Sequence, residues 1–172
     1  MRKRYLLSVV VARCSWAGCS VSFNFIVIGK EAMKTVLLID SDREFRESFR
    51  DALERYEVDV IDVDCPTSAY EQLHLMDPPD LIVGDLFMPF TTGSDSAEYK
   101  TSYEVGVRTL QELAWVFPDK PVIALASLEG EELARVKGFL GASPAHRKPD
   151  EMRGVTEIVC GYLSSAEYGG VQ

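Results

Sequence analysis

Histidine and cysteine are scarce in this 172-residue chain: His74 and His146 on one side, Cys14, Cys19, Cys65 and Cys160 on the other. No two cysteines form a CxxC pair and the histidines have no ligand-like spacing, which removes a zinc site. Scattered single cysteines suit a reducing, cytoplasmic compartment, where a thiol packs as a small hydrophobe. Basic charge is also short, with 18 Lys and Arg against 27 Asp and Glu, a net charge of −9 and a pI near 4.7. Such a balance repels nucleic acid and anionic membranes, so neither is an expected partner. The apolar stretch that follows MRKR is interrupted by Arg13 and is too short to span a bilayer.

Hydrophobic residues make up 47% of the chain, enough for one core. A domain of roughly 140 residues buries about two-thirds of its unfolded surface. Residues 1–32 read differently from the rest. They hold five basic residues and one acid, leaving 13 basic against 26 acidic residues, a net of −13, in the remainder. Three readings stand side by side for this extension. MRKR-YLLSVVVA with Trp16-Ala17-Gly18-Cys19 has the outline of a secretion signal. Val21, Phe23, Phe25 and Val27 alternate like an added strand. Alternatively, translation begins at Met33, where MKTVLLIDSD opens the folded part. The expected organisation is an extension at 1–32, one domain at 33–165 and a tail at 166–172.

From Met33 onward strands and helices alternate. Val36-Leu37-Leu38-Ile39 is an all-apolar run, the mark of a strand buried on both faces. Phe45, Phe49, Ala52, Leu53 and Tyr56 form one stripe of a helix. Val58–Val63 is a strand whose acids suggest a sheet edge. Ser68–Leu73 starts a second helix, ended by Pro78-Pro79. Leu81–Gly84, Val122–Leu125 and Ala145–Arg147 supply three more strands. Helices run through Val107, Leu110, Leu113 and Ala114, from Glu131 to Leu140 before Gly141, and through Met152, Val155, Ile158, Val159 and Leu163. Five βα units in series predict an α/β fold: a doubly wound, five-stranded parallel sheet with helices on both faces. Its site lies beyond the carboxyl ends of the strands, at the topological switch point.

The strands deliver Asp40, Ser41 and Asp42 to that edge from the first, Asp85 from the third, Ala126 and Ser127 from the fourth and Lys148 from the fifth. Two carboxylates about 5 Å apart repel by roughly 3 kcal/mol at an effective dielectric near 20. Such a cluster calls for a cation, and hard oxygen ligands suit Mg²⁺. A carboxylate flanked by a metal and a lysine is a phosphoryl acceptor. The segments VLLIDSD, DLIVGDLFMP, PVIALAS and GASPAHRKP, in this order and spacing, resemble the CheY-like receiver domain of two-component response regulators from Met33 to about Leu163. The resemblance implies Asp85 as phosphoacceptor and Lys148 as phosphoryl contact. It also implies Asp40, Asp42, Asp85 and the backbone carbonyl of Phe87 as Mg²⁺ ligands, and a cis Lys148–Pro149 bond. The implied partners are a histidine kinase or phosphotransfer protein and a downstream protein docked on the face formed by the fourth helix, the fifth strand and the last helix. Neither an output domain nor a turnover enzyme is expected.

The chain departs from the family at Ser41, where the acid that directly binds metal usually stands. Ala126 replaces the switch Ser or Thr, Ala145 replaces a mobile aromatic, and the loop from Phe90 to Glu104 is long. Ser127 is set on the other face by strand alternation. Ser41 also heads the capping box Ser41-Asp42-Arg43-Glu44, which competes with any metal role. Two other functions remain in view: a receiver-like interaction module that is never phosphorylated, and a small haloacid-dehalogenase-like phosphatase using Asp40 and Asp42. Phe45, Phe49, Trp115 and Phe117 are expected as core or rim packing, and both histidines as structural. The loop is expected to be a lid or partner contact, with Tyr99 or Tyr103 over the site.

Overall fold

The computed structural model describes residues 33–91, 103–141 and 143–165. Five strands and five helices alternate: β1 (Thr35–Ile39), α1 (Arg43–Glu54), β2 (Asp59–Val63), α2 (Pro66–Leu73), β3 (Leu81–Asp85), α3 (Glu104–Val116), β4 (Val122–Ala126), α4 (Gly130–Leu140), β5 (Ala145–Arg147) and α5 (Met152–Ser165). The sheet order is β2-β1-β3-β4-β5, every neighbouring pair parallel. β2, with its acids, is an edge strand as its composition suggested. The chain leaves β1 toward one edge and returns through β3 toward the other, so the switch point lies between β1 and β3.

Alternation along the strands splits the interior in two. Val36 and Leu38 of β1 join Leu81 and Val83 of β3 beneath Phe49 and Leu53 of α1 and Val155, Val159 and Leu163 of α5. Leu37 and Ile39 join Ile82 and Ala124 beneath Ala69 of α2, Leu110 and Leu113 of α3 and Val136 and Leu140 of α4. Both faces of the sheet are therefore covered, which is why β1 and β4 are continuous apolar runs rather than alternating ones. Each fully buried Leu or Ile contributes about 1.5–3 kcal/mol relative to its exposed state.

Four local expectations change. Asp42, not Ser41, caps α1: its side chain accepts from the amides of Glu44 and Phe45. α2 begins at Pro66, a residue preorganised for a first helical turn, and it ends at Leu73, ahead of Pro78-Pro79. Trp115 is 84% exposed, so it is neither core nor rim. No peptide bond among the described residues is cis, so Lys148–Pro149 is trans. The chain enters Pro149 from a backbone held by β4, and that path closes without the cis turn.

Candidate functional site

The β1–β3 register pairs Ile39 with Gly84, so the next residues, Asp40 and Asp85, leave the sheet side by side. Lys148 comes from the other direction. Its amide donates to the carbonyl of Ala126 at 2.7 Å, which ties the end of β5 to the end of β4. Its Nζ reaches back across the sheet edge to Asp40 Oδ2 at 2.7 Å. The other Asp40 oxygen, Oδ1, accepts from the amide of Asp42 at 2.9 Å. Asp40 is 1% exposed and the Lys148 side chain 13%, so this is a buried ion pair rather than a surface one.

Burial is the main reason that the Asp40 carboxyl lies above its ordinary pKa, with the ammonium of Lys148 pulling it back down. Asp85 is pushed up to about 6, first by burial and then by the negative charge of Asp40; Lys148 and the amides of Leu86 and Phe87 oppose the rise. The Leu86 amide donates to Asp85 Oδ1 at 2.7 Å. At neutral pH the carboxylate is thus still ionised, yet more basic than a free aspartate. That combination suits a nucleophile.

Ser41 turns toward β3, its hydroxyl donating to the carbonyl of Phe87 at 3.3 Å. Asp42 holds its carboxylate on the α1 terminus, where it is the smallest of the influences that act on Asp40. The D-x-D pair of the phosphatase reading therefore has its second acid engaged as a helix cap. Ala126 is fully buried and carries no hydroxyl, and Ser127 beside it is exposed, as strand alternation required. Ala145 is buried.

Oxygen donors leave the adjoining ends of β1 and β3: Asp40, Asp85, the Phe87 carbonyl and the Ser41 hydroxyl. Mg²⁺ needs only one or two protein carboxylates when waters and a phosphoryl oxygen complete its shell, so this set fits it. Among the described residues, no three His, Cys, Asp or Glu side chains converge as a self-sufficient metal site.

Contacts of three side chains, Arg46, Arg50 and Phe45, were missed in the sequence. Arg46 Nη1 donates to the backbone carbonyl of Asp40 at 2.6 Å while its Nε donates to Asp62 Oδ2 on β2 at 3.1 Å. Arg50 also pairs with Asp62. The α1 position that carries Arg46 faces the strand ends one turn in, a signal visible only once the cap at Asp42 is known. The ring of Phe45, expected as packing, lies under Lys148, with Nζ 3.7 Å from its centroid. Of the long loop, residues 92–102, including Tyr99, lie outside the described residues. Tyr103 packs edge-on against Phe87, ring centroids 6.4 Å apart, and tilted against Phe139 of α4 at the same separation. His146 bonds through Nε2 to the Tyr162 hydroxyl at 2.9 Å.

No protein-family model matches the chain, and no curated protein sequence matches it. Solved structures do. A response regulator from Thermotoga maritima is 22% identical over 77% of this chain and 99% of its own, with a TM-score of 0.59. A CheY-like response regulator receiver domain protein from Methanospirillum hungatei JF-1 is 18% identical over 81% and 100%, with a TM-score of 0.65. The chemotaxis response regulator CheY4 of Vibrio cholerae is 16% identical over 76% and 99%, with a TM-score of 0.60. The chain has the flavodoxin-like fold of CheY-like receiver domains.

Proposed function

We propose that residues 33–165 form a receiver-type signalling domain that takes a phosphoryl group on Asp85 from a histidine kinase or phosphotransfer protein and signals through contact with a further protein. The observation that carries this reading is the placement of Asp85, basic and half-buried, beside the Asp40–Lys148 pair at the β1–β3 switch point. An Asp85 oxygen attacks phosphorus; the donor's bond to phosphorus breaks and the donor leaves with the electron pair. Lys148 then supplies positive charge to the phosphoryl oxygens. Mg²⁺ held by Asp40, Asp85 and the Phe87 carbonyl would add further positive charge there, with Asp42 contributing from the helix cap. A compartment shared with the kinase, the cytoplasm, belongs to this reading; no described helix is long and apolar enough to cross a membrane.

Two observations favour a second reading. The Ser41 hydroxyl occupies the Phe87 carbonyl, and Ala126 offers no hydroxyl to a phosphoryl group. Both suit an interaction module of the same fold that is never phosphorylated. Treatment with acetyl phosphate and Mg²⁺, read by intact mass, separates the two. The first reading expects the gain of one phosphoryl group, lost in Asp85→Asn; no gain in the wild type leaves the second.

A further inference from the structure

The main chain at Lys148 has little freedom. Its amide is bound to Ala126, and Pro149 behind it is packed so closely by α5 that a Cβ on Gly154 would lie 2.9 Å from the proline ring. Where the ammonium stands is decided by the four-carbon side chain. The bond to Asp40 fixes one end of that chain but lets it pivot about Oδ2. The face of Phe45, 3.7 Å from Nζ, removes the pivot. A cation within about 6 Å of a ring centroid is attracted by the ring's quadrupole, more strongly when water is excluded, as it is here.

Phe45 is itself held for this task. Its amide donates to the cap at Asp42 Oδ1, 3.1 Å away, and its ring leans on Phe49, centroids 6.0 Å apart. Phe49 is fully buried and fills the core; Phe45 is only partly buried, at the rim. We infer that Phe45 is a positioning residue for Lys148: with Asp40 it keeps the ammonium at the strand ends, ready for the phosphoryl oxygens on Asp85. The inference rests on the phosphoacceptor reading for its purpose, though not for its geometry.

The bland alternative is that Phe45 only packs. Phe45→Leu keeps an apolar side chain and removes the ring face; Phe45→Trp keeps a ring face. In the full chain, without a phosphodonor, the ammonium of Lys148 is followed by nitrogen-15 NMR, assigned with Lys148→Met. The wild type and Phe45→Trp should show a protected, slowly exchanging ammonium, and Phe45→Leu should lose it. If Phe45→Leu does not fold, Phe45→Met makes the same comparison. Phosphoryl uptake from acetyl phosphate should fall by about tenfold in Phe45→Leu, recover in Phe45→Trp, and fall no further when Phe45→Leu is added to Lys148→Met. An ammonium unchanged in Phe45→Leu overturns the inference, as do losses that multiply in the double variant. Absence of phosphoryl uptake in the wild type, with an ammonium that still depends on Phe45, defeats the phosphoacceptor reading and leaves the positioning role standing.

Discussion

The hydroxyl of Ser41 donates to the carbonyl of Phe87 at 3.3 Å, joining the residue after Asp40 to the second residue after Asp85 across the gap between β1 and β3. A neutral hydroxyl therefore stands where a second carboxylate would face a cation. Mg²⁺ should bind weakly, and Ser41→Asp should tighten it at least about tenfold, since each added close carboxylate gains more from the ion than it loses by desolvation at a partly exposed site. Titration calorimetry checks this. Equal affinities in the two proteins would mean that the Asp42 cap already serves the ion.

The raised pKa of Asp85 makes a prediction with a sign. Its carboxyl is held at about 6 in the fold against a reference of 3.8. Between those values the folded state binds more protons than the unfolded chain, so stability falls as pH rises through about 4 to 6. Ionised Asp85 then destabilises the fold at neutral pH by up to about 3 kcal/mol. Asp85→Asn keeps the oxygen that accepts from Leu86 and removes the charge. In metal-free buffer its melting temperature should exceed the wild type's at about pH 7.5 and match it near pH 4. A gain that is the same at both pH values would trace to something other than ionisation.

Asp40 and Lys148 are a buried pair, and breaking such a pair from one side leaves an uncompensated charge. Lys148→Met leaves the buried Asp40 carboxylate without its counter-ion and should lower unfolding stability by about 3–5 kcal/mol in urea denaturation. Asp40→Asn with Lys148→Met removes both charges and should recover much of that loss. Additive losses in the double variant would show that the two residues act separately.

Much of this fold is legible in the sequence because parallel strands covered on both faces must be apolar throughout. Val36–Ile39 and Leu81–Val83 announce themselves that way, and the acids that close those strands, Asp40 and Asp85, belong to the site. What was not legible turns on competition between near-equal partners. Ser41 and Asp42 are both good helix caps one residue apart; Phe87, 46 residues away, draws Ser41 aside and leaves the cap to Asp42. Trp115 sits about 200° around α3 from Leu113, on the far side of its apolar stripe, and so faces outward. The pairing of Phe45 with Lys148 joins the first helix to the residue that follows the last strand, and no local pattern carries that information.

Met33–Gln172 clusters as a compact unit by itself, and both halves of the core are made of residues between Val36 and Leu163. A chain starting at Met33 should therefore unfold in one cooperative transition at the melting temperature of the full chain. A clear fall in that temperature would assign residues 1–32 to the core.

α3 is pressed onto the segment that follows Asp85, and a glycine permits it. A Cβ on Gly106 would lie 2.3 Å from the carbonyl oxygen of Leu86 and 2.5 Å from its Cα. Both are backbone atoms and neither can step aside as a side chain does. Within a helix, Gly→Ala should otherwise stabilise by about 0.8–1 kcal/mol, because alanine has less backbone entropy to lose. Gly138 of α4 is the control, since a Cβ there meets nothing within 4 Å. Gly138→Ala should raise stability and Gly106→Ala should lower it, by about 1–3 kcal/mol or more, as overpacking does. Gly84→Ala should fall between them, because its Cβ meets the tip of Leu110 at 2.6 Å, the far end of a side chain rather than backbone. The consequence reaches the site as well. The Leu86 amide donates to Asp85 Oδ1, so displacing Leu86 lengthens that bond and raises the Asp85 pKa further. Gly106→Ala should therefore show both a lower melting temperature and an upward-shifted Asp85 titration. If Gly106→Ala proves as stable as Gly138→Ala, α3 does not bear on the Asp85 segment in the way described.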